Sequence, residues 1–369
     1  MKPEKLYLTE AGLAKLTHDL REAGARVIAP VLATESSSNP VADYREIEDA
    51  GRIALGGPLP RLSLKEFFLP PTEALLSWRQ VKGDISLDQP SGDYPRTVVV
   101  GAFPCDAAAL PVLDKVMGWD YRDDPWFGRR KATTIISRAC AVKDSSCFCP
   151  AVGLSPDSLK GADILLVPVD DSGNNHLVEV LTPAGEELVE AHRDVFESPP
   201  DEGKADELRK AALDRASENL DIEPGAIKSW LESNFEHDVW ADIADRCHGC
   251  GACASVCPTC HCFDIIDEPE GIDRGTRRRN WDTCQASLFT LHGSGHNPRP
   301  EQSARYRQRV MHKFAIYPKR FEEILCTGCG RCSRACAAGM DLPEVLRTLD
   351  QLASSSEKQT EASSTGGVG

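Results

Sequence analysis

The sequence has no apolar run approaching the roughly 18 residues that a membrane-spanning helix requires. Its first residues, MKPEKLYLTEAGLAKL, are charged throughout and lack both the apolar core of a secretory signal and a twin-arginine motif. We therefore expect a cytoplasmic protein with no membrane span.

Nucleotide-binding signatures are also missing. No G-x-G-x-x-G follows a predicted strand, and no Walker A motif occurs. The formal net charge of −15, together with the lack of a helix-turn-helix signature, argues against a nucleic-acid partner. Aromatic residues are few, at 6%, but a hydrophobic content of 41% is ordinary for a globular chain.

Cysteine, in contrast, is abundant, with fifteen residues. In a reducing compartment, cysteines are better explained as metal ligands than as disulfides. Eight of them form two runs with the spacing C-x2-C-x2-C-x3-C, which is typical of bacterial iron–sulfur proteins. In that pattern the fourth cysteine of each run ligates the other cluster. We therefore predict two 4Fe–4S clusters, one held by Cys247, Cys250, Cys253 and Cys336, the other by Cys326, Cys329, Cys332 and Cys257.

A pair of structural zinc sites is the alternative, because C-x2-C pairs also bind zinc. Each run supplies three closely spaced cysteines and one more, and the run occurs twice, which favours iron–sulfur clusters. Glycines within the runs let the backbone fold closely around a cluster. The second run departs from the pattern in having Ala337 where a proline is usual, but that residue is not a ligand.

Seven cysteines remain outside the runs. Cys105, Cys140, Cys147 and Cys149 follow predicted strands and are candidate ligands of a further iron–sulfur cluster, although single cysteines are also common as buried apolar residues. Cys260, Cys262 and Cys284 flank the first run. They are weaker candidates, either as ligands with His261 or as a sulfur-rich shell around the first cluster.

The order of predicted elements indicates an α/β N-terminal domain followed by an α-helical and irregular, ferredoxin-like dicluster domain. Strands are predicted at 97–100, 133–137, 163–169 and 176–182, and a short helix is predicted at 71–76. The predicted divisions are an α/β domain with cysteine-bearing strand ends over 1–195, a helical connection over 196–245, a dicluster domain with a long insertion over 246–345, and a disordered tail over 346–369.

The insertion carries a strip of basic and histidine residues: Arg274, Arg277, Arg278, Arg279, His292, His296, Arg299, Arg305, Arg307, Arg309, His312 and Lys313. One interpretation is a solvated face whose arginines offset the charge of anionic clusters. The other is a docking or anion site for a partner or substrate. No Ser-His-Asp set or carboxylate pair can be argued from spacing.

Several motifs taken together resemble a known family. They are C-P-T-C-H-C-F-D with W-D-T-C downstream, H-K-F, C-T-G-C-G-R-C, K-E-F-F-L-P, G-A-F-P-C-D and C-F-C-P. The chain is similar over most of residues 5–345 to the iron–sulfur subunit of anaerobic sulfite reductase, whose family includes the β subunit of cytoplasmic NiFe sulfhydrogenases. The resemblance implies a dicluster ferredoxin fused to an α/β domain, with the eight cysteines of the two runs as cluster ligands.

The family passes electrons between a flavin subunit that uses NAD(P)H and a terminal catalytic subunit. We therefore expect a non-catalytic electron-transfer component whose partners are a flavin-containing, NAD(P)H-oxidising subunit and a terminal reductase or hydrogenase subunit. One alternative is a redox enzyme subunit with its own catalytic site in the α/β domain. Another is an iron–sulfur sensor that regulates a partner.

Overall fold

The structure is a computed structural model and describes residues 6–34, 40–90, 92–140, 145–169, 173, 175–199, 203–217 and 220–365. Contacts divide the chain into two compact units. Unit 1 comprises 1–142, 157–209 and 258–283, and unit 2 comprises 143–156, 210–257 and 284–369.

The described strands all belong to unit 1. They are β1 (Leu6–Leu8), β2 (Arg26–Thr34), β3 (Val41–Glu46), β4 (Thr72–Val81), β5 (Asp84–Asp88), β6 (Thr97–Ala102), β7 (Thr133–Arg138), β8 (Ile164–Pro168), β9 (His176–Val180), β10 (Phe263–Pro269) and β11 (Arg274–Trp281).

The described α-helices are α1 (Glu10–Glu22), α2 (Lys65–Phe68), α3 (Pro104–Met117), α4 (Asp124–Lys131), α5 (Pro183–Ala191), α6 (Gly203–Ser217), α7 (Pro224–Ser233), α8 (Val239–Ala244), α9 (Ala252–Ser255), α10 (Gln302–Met311), α11 (Tyr317–Phe321), α12 (Arg331–Arg334) and α13 (Leu342–Thr365). Short 3-10 turns cover Ala50–Arg52, Cys149–Val152 and Arg193–Val195, and a π-helical turn covers His312–Ile316.

A seven-stranded mixed sheet forms the centre of unit 1, in the order β1-β9-β8-β7-β6-β2-β3. Strands β2, β6, β7 and β8 pair in parallel. β6, with the sequence TVVVGA, is buried along its whole length, as expected for a parallel strand covered on both faces. The four strands predicted from the sequence are confirmed as β6 to β9, so the N-terminal region is a mixed α/β structure.

A second sheet of unit 1 has the order β10-β11-β4-β5 and is antiparallel throughout. The short helix predicted over 71–76 is wrong, because these residues open β4. Thr72, Glu73, Ala74 and Leu76 pair with β11, and this pairing decides the conformation because tertiary contacts override weak local propensity.

The core of unit 2 is helical and lies among α7, α8, α10 and α13. Trp230, Trp240 and Val310 are buried in it together with Leu346 and Leu349. The structure differs here from the predicted disordered tail. Apolar residues at helical spacing continue past residue 346, and Leu346, Leu349 and Ala353 are buried on one face of α13, whereas 366–369 lie outside the described residues.

The two units interleave along the chain rather than following the predicted linear divisions. Residues 258–283 join unit 1, because β11 pairs with β4. Residues 143–156 join unit 2, where the Phe148 amide donates a hydrogen bond to the Gly328 carbonyl at 2.7 Å. Among the described residues, no helix has the length and apolar character that a membrane crossing requires.

Candidate functional site

A cavity of about 120 Å³ in unit 2 is the centre of the candidate site. Cys247, Cys250 and Cys253 of the first run line it, and so does Cys336, the last cysteine of the second run. The structure thus brings together the four residues predicted to hold the first cluster. Its walls also include Tyr306 and Leu342, so the cavity is largely apolar.

The backbone of the first run turns sharply to present these thiols. Gly249 and Gly251 have φ values of +69° and +76°, a left-handed conformation that glycine adopts without steric cost. The short helix α9 then carries Cys253. On the opposite side of the cavity, α12 ends just before Cys336, and the Met340 amide donates to Cys336 Sγ at 3.3 Å.

Two glutamines support Cys247. Gln302 Nε2 donates to Cys247 Sγ at 3.3 Å and to Gln285 Oε1 at 3.1 Å. Arg305 fixes the orientation of Gln302, because its Nε and Nη2 both donate to Gln302 Oε1, at 3.1 and 2.6 Å. No sequence motif marks either glutamine, so sequence reasoning missed both.

Arg309 lies beside Cys253. The guanidinium is buried, and its Nη2 donates to the Cys253 carbonyl at 3.1 Å. Burial raises the pKa of the Cys253 thiol to about 11, even though the charge of Arg309 acts in the opposite direction. A buried thiol of this kind becomes a thiolate only with a strongly electropositive group beside it, which iron supplies on binding.

The second set of cysteines surrounds a buried lysine. Lys313 is 2% exposed, and its Nζ donates to Cys257 Sγ at 3.4 Å and to the Leu325 carbonyl at 2.8 Å. Burial raises the pKa of Cys326 to about 12, with Lys313 opposing the shift and Cys257 and Cys332 adding to it. Burial also raises the pKa of Cys329, and Cys257 and Cys332 again contribute. The four predicted ligands of the second cluster are therefore neighbours.

Lys313 reaches this position from the π-helical turn between α10 and α11. Single π-helical turns occur frequently at functional sites, because they change the direction of side chains along a helix. The sequence placed Lys313 in a basic strip, and only the structure shows that it faces ligand sulfur.

Cys332 lies between the two sets of cysteines. It lines the first cavity, and its charge acts on Cys253 of the first run as well as on Cys326 and Cys329 of the second. The two candidate cluster sites are therefore adjacent at Cys332.

The second run packs tightly against residues 146–149. A Cβ added at Gly328 would lie 2.5 Å from Cys149 Cα, and one added at Gly330 would lie 2.4 Å from the Ser146 carbonyl oxygen. Cys147 Sγ donates to the Cys329 carbonyl at 3.5 Å. Cys147 and Cys149 thus lie beside the second run within unit 2.

The other cysteines outside the runs are divided between the units. Cys105, Cys140, Cys260 and Cys262 belong to unit 1, and Cys284 belongs to unit 2, where its charge acts on Cys253. Cys105 and Cys140 are therefore assigned to a different unit from Cys147 and Cys149, with which the sequence grouped them. None of the fifteen cysteines, all of which are described, forms a disulfide.

The basic strip separates into two functional parts. Its first arginines are bound by carboxylates of unit 1: Arg277 by Asp267 at 2.7 Å, Arg278 by Glu268 at 2.7 Å, and Arg279 by Glu73 at 2.5 Å and by Asp123. Its later members Arg305, Arg309 and Lys313 are buried beside the cysteines or the glutamines that support them. The interpretation that cations offset anionic clusters fits these later residues.

These residues fit two iron–sulfur clusters. Each set offers four cysteines, hydrogen-bond donors to sulfur and a buried cation, which together stabilise an anionic thiolate-bound cluster.

Comparisons with known proteins agree with this geometry. Residues 246–340 match the family model of the 4Fe-4S dicluster domain. The chain is 29% identical over 331 residues to "Sulfhydrogenase 2 subunit beta" of Pyrococcus furiosus, covering 89% of this chain and 92% of that protein. No solved structure matches the chain.

Residues 246–340 are therefore similar to the 4Fe-4S dicluster domain. The resemblance of the chain to the β subunits of sulfhydrogenases, predicted from the motifs, is confirmed along most of its length.

Proposed function

We propose that this chain is a non-catalytic electron-transfer subunit that relays single electrons through two 4Fe–4S clusters. The main support for this proposal is the cavity lined by three cysteines of the first run and by Cys336 of the second. This crossed arrangement is the one that places two clusters side by side in dicluster ferredoxins. In our assignment the second cluster is held by Cys326, Cys329, Cys332 and Cys257.

The clusters, when bound, accept and release one electron at a time. The protein contributes their surroundings. The Gln302 amide and the Lys313 ammonium donate to ligand sulfur, and Arg309 adds a buried positive charge beside Cys253. Hydrogen bonds and positive charge stabilise the more negative, reduced form and so raise the reduction potential. Cys332, placed between the sets, marks the shortest route for an electron between them.

The partners follow from the similarity to a sulfhydrogenase subunit. We infer that one partner is a terminal hydrogenase or reductase subunit, and that another is a flavin-containing subunit that oxidises NAD(P)H. A flavin converts hydride, a two-electron carrier, into single electrons that the clusters can carry. This division of labour leaves the chemistry of the substrate to the partners and is consistent with a cytoplasmic complex.

The test replaces one ligand of each cluster in the assembled complex. Cys253→Ser and Cys329→Ser should each remove or convert one cluster, with loss of its EPR signal and of electron delivery to the terminal acceptor. Ser255→Ala, an exposed change within the first run, is the matched control and should retain both signals. Normal acceptor turnover in either cysteine variant would refute the relay.

A further inference from the structure

Unit 1 contains a buried cation that a two-cluster relay does not use. Arg138 ends β7 and is 5% exposed. Among the described residues, its Nε has no hydrogen-bond partner. Its guanidinium carbon lies 4.7 Å from the centre of the Phe103 ring. A buried guanidinium is unfavourable without an anion beside it, so this one indicates an anionic group at the same place.

Two cysteines follow neighbouring strands at the edge of the seven-stranded sheet where Arg138 ends β7. In the parallel pairing of β6 and β7, Ala102 is opposite Ser137. Cys105 lies three residues after Ala102, and Cys140 lies three residues after Ser137. Both cysteines therefore lie equally far along the chain beyond the carboxyl ends of these paired strands. Both pack against the apolar core that contains Phe103. Burial lowers the pKa of Arg138, and Cys140 acts in the opposite direction, in agreement with its place at the same end of β7.

The local backbone favours a thiolate at Cys105. This residue lies in the first turn of α3, a helix of 14 residues whose N-cap, Phe103, has no side chain that can accept a hydrogen bond. The positive end of a helix dipole stabilises a negative charge at such a position.

A second buried cation lies against the same apolar core. Lys65 on α2 is 4% exposed, donates to the Cys260 carbonyl at 2.9 Å, and places its Nζ 3.8 Å from the centre of the Trp281 ring. Trp281 packs on the core that also contacts Cys105 and Cys140. Lys65 is thus a second buried cation of unit 1, and it contacts the Cys260 carbonyl and the Trp281 ring.

We propose that Cys105 and Cys140 are thiolate ligands of a third iron–sulfur cluster in unit 1, against whose negative charge Arg138 is buried. A disulfide between the two cysteines would be neutral and would supply no negative charge to the arginine. A simple anion such as phosphate would need the cation but not the thiols. A thiolate-bound cluster accounts for both features.

The first test is the iron and acid-labile sulfide content of the full chain, prepared anaerobically. The proposal predicts about twelve irons per chain, since each of three 4Fe–4S clusters holds four. About eight irons would overturn it while leaving the two-cluster relay intact. A chain without iron–sulfur clusters would overturn both, so the two failures are distinguishable. This count uses the unmodified protein and does not depend on any variant folding.

The second test assigns the ligands. Cys105→Ser and Cys140→Ser should each lower the iron content by about a third while leaving the EPR signals of the dicluster domain unchanged. Ser86→Ala, a change at an exposed position of β5 in unit 1, is the control and should keep the full count. Unchanged iron in both Cys105→Ser and Cys140→Ser would overturn the proposal. The same count on Cys260 and Cys262 variants tests whether these two cysteines of unit 1 complete the cluster.

Arg138 supplies a readout that apolar packing would not change. Arg138→Lys keeps the charge and should keep the third cluster's reduction potential near the native value, whereas Arg138→Met should lower it. Equal potentials in the native, Lys and Met proteins would contradict the role given to Arg138.

Discussion

The two cysteine runs have the same spacing but different surroundings. A neutral amide donates to Cys247 in the first run, whereas a buried ammonium donates to Cys257, which serves the second site. The first run borders a cavity, and the second packs its glycines against the backbone of 146–149. Two clusters held by identically spaced ligands can therefore differ in reduction potential, because charge and hydrogen bonds around the sulfurs set that potential.

The largest expected effect comes from breaking the crossed ligation. Cys336→Ser should abolish the cluster of the first run, although the substitution is in the second run. Cys257→Ser should conversely abolish the cluster of the second run. EPR of each reduced protein measures which signal remains. If each variant lost the signal of its own run, the crossed assignment would be wrong.

The next largest effect is expected from adding a side chain at Gly328, where the second run packs tightly against residues 146–149. Gly328→Ala adds a Cβ 2.5 Å from Cys149 Cα at a φ of +64°. The left-handed backbone and the clash together should cost about 2–4 kcal/mol of unfolding free energy. Urea titration of the anaerobic protein measures this loss.

Gly339→Ala is the matched control for that change. It has a similar φ, +68°, but its Cβ would meet only Arg246 Nη1, at 4.0 Å. The expected cost is backbone strain alone, about 1 kcal/mol. Gly249→Ala in the first run should also be milder than Gly328→Ala, because its nearest contact is a side-chain atom, Gln302 Oε1, rather than backbone. Equal losses at Gly328 and Gly339 would contradict the packing argument.

A smaller effect is expected from removing the buried ammonium. Lys313→Met should lower the reduction potential of the second-run cluster, because the reduced form loses a positive charge beside its sulfur. The shift should be about 60 mV, which corresponds to about 1.4 kcal/mol for one electron. Redox titration followed by EPR measures it. Lys319→Met, an exposed change in α11, should leave the potential unaltered.

The smallest effect is expected at the first run, where the donor is neutral. Gln302→Leu should lower the potential of the first-run cluster by about half of the shift seen with Lys313→Met, since a neutral hydrogen bond contributes roughly half as much as a charged one. Gln308→Leu on the same helix is the control. A larger shift for Gln302→Leu than for Lys313→Met would reverse the comparison between the runs.

Local sequence patterns predicted much of this molecule. The apolar run TVVV correctly predicted β6, because a continuous apolar stretch is a local signal of a buried strand. The cysteine spacing assigned the eight predicted ligands to two sets, because most ligands of a ferredoxin cluster are close together in the sequence. The structure differs from the predicted disordered tail at its start, where Leu346, Leu349 and Ala353 are buried on one face of α13.

Long-range contacts could not be predicted from the sequence. Nothing local indicates that β11 joins β4, that Arg279 pairs with Glu73, or that Lys313 faces Cys257. The basic strip illustrates this limit. Arg277, Arg278 and Arg279 form salt bridges in unit 1, whereas Arg309 and Lys313 lie beside the cysteines of unit 2. Only the tertiary structure distinguishes these roles.

The most direct test of the central claim is an EPR-monitored redox titration of the unmodified chain. We predict that the dicluster domain takes up two electrons in separate one-electron steps, and that the two reduced centres broaden each other's signals because they are adjacent at Cys332. A single reducible centre, or two centres without magnetic interaction, would contradict the account of two adjacent clusters with crossed ligands.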